Sequence, residues 1–72
     1  SLLQILVFEV PMKCGGCANA VRKNIDELGD SATIESIDVP TNRIVVRSRK
    51  TMEEMKEQLE KTGKTITFVE AR

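Results

Sequence analysis

The stretch "ATIESIDVPTNRIVVRS", residues 32–48, decides the fold. Its second half is β-branched at Ile44, Val45 and Val46, and its first half carries Ile34, Ile37 and Val39. Between them "PTNR" supplies the turn formers Pro40 and Asn42. The pattern predicts two strands, 32–39 and 43–48, paired as a hairpin. A strand shows its side chains to alternate faces, so the step of three from Ile34 to Ile37 breaks the alternation. A β-bulge or an early frayed end is therefore expected in the first strand.

Working outward, each side of the hairpin carries one helical pattern and one strand pattern. On the N-terminal side Cys17, Val21, Ile25 and Leu28 recur at helical spacing, with Arg22, Lys23, Asp26 and Glu27 mostly opposite and Gly29 as the stop. Before them Leu3 to Val10 reads as a strand, with Leu6, Phe8 and Val10 on one face and Leu3, Ile5 and Val7 on the other. On the C-terminal side Thr51 and Glu54 form a capping-box pattern, and Met52, Met55 and Leu59 an apolar stripe. Gly63 ends that helix, and Ile66 and Phe68 then alternate with threonines as a last strand.

The order strand, helix, strand, strand, helix, strand predicts an α+β, ferredoxin-like βαββαβ sandwich: a four-stranded antiparallel sheet with two helices on one face. The expected core is Phe8, Val10, Ile44, Val46, Ile66 and Phe68 against Val21, Ile25, Leu28, Met55 and Leu59. The outer sheet face, with Leu3, Ile5, Val7, Val45 and Val69, is expected to be unusually apolar and so to mark a contact.

Composition narrows the function. The 72 residues suit one small domain, 1–72. Eleven basic residues balance eleven acidic ones, and Phe8 and Phe68 are the two aromatic side chains, so no nucleic-acid surface is expected. Histidine is absent, which removes the commonest general base and the commonest zinc ligand together, so ordinary acid–base enzymology starts at a disadvantage. The opening "LLQILVF" is too short to span a bilayer and lacks a basic leader, so neither membrane insertion nor export is expected.

Cys14 and Cys17 stand three apart where a loop meets the first helix. A bridge between them closes too small a loop to work as a staple. A helix N-terminus favours thiolate over thiol, which serves both metal binding and disulfide exchange. Gly15 and Gly16 leave the loop free to bring both sulfurs toward one point, as a two-coordinate soft cation requires, and copper(I) is the natural guest. Zinc prefers four ligands and meets two thiols with Lys13, not an acid, beside them. On spacing alone a metal clamp, a redox pair and incidental cysteines all stay open. A dithiol-disulfide oxidoreductase of thioredoxin type needs a longer chain and a proline facing the thiols, whereas Pro40 falls in the hairpin turn.

"MKCGGC" after a first strand, together with the later "KTGK", resembles the heavy-metal-associated domain, and within it the eukaryotic copper metallochaperones. The resemblance spans Phe8 to Phe68. It implies that Cys14 and Cys17 bind Cu(I), that Met12 packs beneath the loop, and that Lys64 neighbours the thiolates. The bland alternative for Lys64 is a solvated residue after a helix-ending glycine. Met12 falls with Phe8 and Val10 on the inward side, which favours packing over a thioether ligand. Lys13, Arg22, Lys23 and Lys61 are candidates for a basic rim that steers an acidic partner, or else ordinary solvated faces. The resemblance also implies cytoplasmic delivery by ligand exchange to the metal-binding domains of a copper-transporting P-type ATPase. The related alternatives are the first domain of a copper chaperone for superoxide dismutase and a metal-binding domain of the ATPase itself. A homodimer, copper-bridged or formed through the outer sheet face, is a further expectation.

Overall fold

The central hairpin forms as the sequence suggests, and its irregularity is a bulge. In the computed structural model, which describes residues 3–12 and 15–72, strands β2 (Ala32–Asp38) and β3 (Arg43–Ser48) pair antiparallel. Ile34 faces Val46, Ser36 faces Val45 and Ile37 faces Ile44, so Glu35 is the extra residue. The bulge turns both isoleucines, three positions apart, toward the core, where each packs half-buried. The strand stops at Asp38, one residue short of expectation, because Val39 already belongs to the turn and its carbonyl accepts the Asn42 amide at 3.1 Å.

Strand β1 (Gln4–Glu9) pairs antiparallel with β3 on one side and with β4 (Thr67–Ala71) on the other, giving the sheet order β2-β3-β1-β4. Helices α1 (Gly15–Asp26) and α2 (Met52–Glu60) share one core with the inner sheet face, the ferredoxin-like βαββαβ arrangement. Leu6, Phe8, Val10, Val21, Ile25, Ile44, Val46, Met55 and Leu59 are fully buried there, each large side chain contributing on the order of 1.5–3 kcal/mol. Phe8 meets Phe68 edge to face, ring centroids 5.6 Å apart at 64°.

Several boundaries and core positions differ from the sequence reading. Helix α1 ends at Asp26 and a turn through Glu27 and Leu28 follows, so Gly29, with φ of 60°, opens a short 3₁₀ turn (Gly29–Ser31) instead of ending the helix directly. Leu28, in that turn, and Phe68, on the edge strand β4, are half-buried and line the core without closing it. Leu6, Ala18 and Ala32 join the core. The outer face is less apolar to solvent than expected: Val7 is only 1% exposed, Ile5, Val45 and Val69 are half-buried, and Leu3 is the exposed large hydrophobic among the described residues. Val7 lies on a central strand with Val45 and Glu70 opposite it, so both flanks are covered.

The capping box forms fully. Thr51 Oγ1 accepts the Glu54 amide at 3.2 Å while the Thr51 amide donates to the Glu54 carboxylate at 3.2 Å. That amide, helped by the Thr51 hydroxyl, holds the Glu54 carboxyl below its ordinary value. Between the helices, Gln58 Nε2 donates to the Asn24 carbonyl at 3.0 Å.

Candidate metal centre

Three chain segments, far apart in sequence, meet at the end of the sheet where β1 runs toward α1. Cys17 is the third residue of α1, half-buried against the core. The first turn of an α-helix has amide N–H groups without intrahelical acceptors, and its macrodipole favours negative charge. No acidic side chain occupies the first turn of α1, so that preference is left to the sulfur.

Lys64 arrives from the other helix. After α2 the amides of Thr62 and Gly63 bond back to Leu59 and Glu60 at 3.1 and 2.9 Å, and Gly63 reverses the chain at φ of 84°. A Cβ there meets no atom within 4 Å, so the requirement for glycine is conformational and not steric. The reversal carries Lys64, half-buried, back over the first helix, where its Nζ donates to Cys17 Sγ at 3.4 Å across 47 residues of sequence. An ammonium at that position favours negative charge on a neighbouring sulfur. Lys64 is therefore half-buried and in contact with the Cys17 sulfur.

Met12 is 3% exposed and belongs to the core cluster, as its inward parity suggests. Its amide donates to Asn42 Oδ1 at 3.0 Å. Sequence reading took Asn42 only as a turn former; the signal it held was an Asn at a turn position with positive φ, here 59°.

Lys13 and Cys14 lie outside the described residues. Gly15 and Gly16 form the first residues of α1. Arg22 and Lys23 are exposed and share a shallow depression along α1 with Gly16, Asn19, Ala20 and Asp26. Lys61, also exposed, lines a different depression with Lys50, Glu54, Glu57 and Gln58, so it stands among carboxylates and not with the other two basic residues. Pro40 sits exposed in the β2–β3 turn. Among the described residues no three Cys, Asp or Glu side chains gather into a cage of the kind zinc prefers.

Known proteins resemble this chain in sequence and in fold. Residues 7–65 match the heavy-metal-associated domain. Copper transport protein ATOX1 of Homo sapiens is 37% identical over 62 residues, covering 86% of this chain and 88% of that protein. Metal homeostasis factor atx1 of Schizosaccharomyces pombe is 34% identical over 59 residues, 82% of this chain and 84% of that protein. Among solved structures, the copper(I)-loaded first domain of the human copper chaperone for SOD1, CCS, superposes with a TM-score of 0.83 over the whole of both chains at 26% identity. A gold binding protein superposes with a TM-score of 0.80 at 31% identity, over 89% of this chain and 98% of that one.

Proposed function

The chain belongs to the heavy-metal-associated domain family, and on that footing we propose that it is a copper(I) metallochaperone whose cargo is held by Cys14 and Cys17. The observation that carries the reading is the Lys64 ammonium 3.4 Å from Cys17 Sγ at the start of α1. A cation brought from a loop 47 residues away suits a sulfur that carries negative charge better than it suits a neutral buried thiol. A soft monovalent cation between two thiolates leaves one net negative charge, which the ammonium and the helix N-terminus both offset.

The chemistry is ligand exchange. Two-coordinate copper(I) accepts a third thiolate from a partner's CxxC site, one sulfur of the carrier then leaves, and the metal stays in the same oxidation state throughout. No bond of an organic substrate is made or broken, so the protein carries and does not catalyse. The fitting recipient is a CxxC-bearing domain of a copper-transporting P-type ATPase. Delivery belongs in the cytosol, where thiols remain reduced. Among the described residues no helix is long and apolar enough to cross a membrane.

Anaerobic copper(I) titration of the reduced protein against a competing chelator tests this, with a Cys14→Ser, Cys17→Ser double variant alongside. One copper retained per chain and lost in the double variant is the expected result. Binding that survives loss of both thiols refutes it, and the reduction potential of the pair then becomes the quantity to measure. The end-to-end likeness to the CCS first domain favours one neighbouring reading, that the chain serves as the metal-binding domain of a chaperone for superoxide dismutase. Copper transfer to an isolated ATPase domain, set against transfer to superoxide dismutase, separates the two.

A further inference from the structure

We infer that Asn42, in the β2–β3 turn, is a positioning residue for the dithiol loop. The inference rests on the copper-carrier reading and adds to it a residue that belongs to neither the loop nor the lysine turn.

Asn42 holds the segment between β1 and α1 at two points. Its carbonyl oxygen accepts the Val10 amide at 2.7 Å, and its side-chain Oδ1 accepts the Met12 amide at 3.0 Å. The two donors stand two residues apart on a stretch that has already left the strand, since β1 ends at Glu9. Sheet pairing therefore no longer fixes these amides, and one residue from across the hairpin takes over both. Asn42 reaches them because its backbone is left-handed, φ 59°, a conformation that Asn tolerates better than most residues. Val10 and Met12 are themselves buried, 0% and 3% exposed, so the segment is pinned by packing from below and by Asn42 through its backbone. Met12 is the last described residue before Lys13 and Cys14. Met12 precedes Cys14 by two positions in the sequence, so an anchored Met12 backbone shortens the free stretch of chain ahead of that thiol, and a metal clamp gains from such restriction before the cation arrives.

Two substitutions separate the parts of this anchor. Asn42→Gly keeps the left-handed backbone and the carbonyl bond to Val10 but removes the acceptor for Met12. Asn42→Asp keeps an acceptor oxygen at the same reach and a residue that accepts positive φ. Copper(I) release to a chelator is measured for wild type and both variants in about 0.3 M salt, where the charge added by aspartate is largely screened. Amide hydrogen exchange at Val10 and Met12 is followed in the same samples.

The expected result is faster exchange at Met12 but not at Val10 in the glycine variant. Its copper affinity should fall about three- to tenfold, the scale of one lost neutral hydrogen bond, with both properties near wild type in the aspartate variant. A glycine variant that holds copper as wild type does overturns the inference and leaves the carrier reading intact. An aspartate variant as impaired as the glycine one also overturns it, because the effect then belongs to the turn and not to the acceptor. A wild-type chain that retains no copper overturns the carrier reading first and this inference with it.

Discussion

Replacing Lys64 with Gln removes one positive charge 3.4 Å from Cys17 Sγ while keeping a side chain that can still donate a hydrogen bond. Unit charges at that separation attract by about 1.2 kcal/mol in water and by about 5 kcal/mol at an effective dielectric of 20. Both residues are half-buried, which lifts the interaction above the aqueous limit. The negative charge of a copper-dithiolate is shared between two sulfurs, which lowers it again. A loss of about 1.4 kcal/mol is the expected balance, and that is a tenfold weaker hold on copper(I). Chelator competition in low salt measures it, with Lys64→Arg as the charge-keeping control. Raising the salt should shrink the gap between wild type and the glutamine variant, since part of the interaction reaches solvent. Equal affinity and equal transfer rate for wild type and Lys64→Gln refute the electrostatic account. So does an arginine variant that behaves like the glutamine one.

Met12→Ala should cost about 2–5 kcal/mol of stability, because the side chain is 3% exposed in the core, while Met12→Leu should cost less than about 1.5 kcal/mol and keep its copper. A well-folded leucine variant that loses copper would show the thioether to be a ligand. Deleting Glu35 removes the bulge residue and leaves Ile34 and Ile37 two positions apart on one face, so the chain should still fold, at a cost of no more than about 1 kcal/mol for the exposed Arg47 ion pair. Loss of cooperative unfolding on that deletion would contradict the register described. The Glu54 carboxyl lies below its ordinary value in the folded state, so its contribution is present above the unfolded value and is lost as pH falls through the folded one. Thermal melts of wild type and Glu54→Gln should therefore differ at neutral pH and converge in acid; a constant difference across that range would be inconsistent with the cap.

Local chemistry was legible in the sequence and distant chemistry was not. Thr51 and Glu54 announce their cap because both partners lie within one helical turn. The Ile34–Ile37 spacing announces the bulge because strand parity is a local property, although which residue would be extra depended on the β3 register. The end of α1 was misplaced by a few residues, since Gly29 suits both a helix stop and the 3₁₀ turn it makes. Parity alone marked Val7 as outward but could not tell that Val45 and Glu70 would flank it. Cys14 and Cys17 stand out by spacing, yet nothing in the residues themselves linked Lys64 to them; that expectation came from the family resemblance, and the structure puts Lys64 Nζ 3.4 Å from Cys17 Sγ. Asn42 was invisible as a site residue because its acceptor works on an amide 30 positions away.

The pairing of β1 with β4 gives the molecule a polarity. Leu6 lies opposite Ala71 and Glu9 opposite Thr67, so the start of β1 and the end of β4 share one end of the sheet, while Met12 and Lys64 belong to the other. A tether, a fusion partner or a solid support attached at the start of β1 or the end of β4 therefore holds the domain at the end of the sheet away from Met12 and Lys64. Immobilised this way, the protein can be presented to candidate partners in a flow cell with the Cys17 and Lys64 end left clear of the attachment.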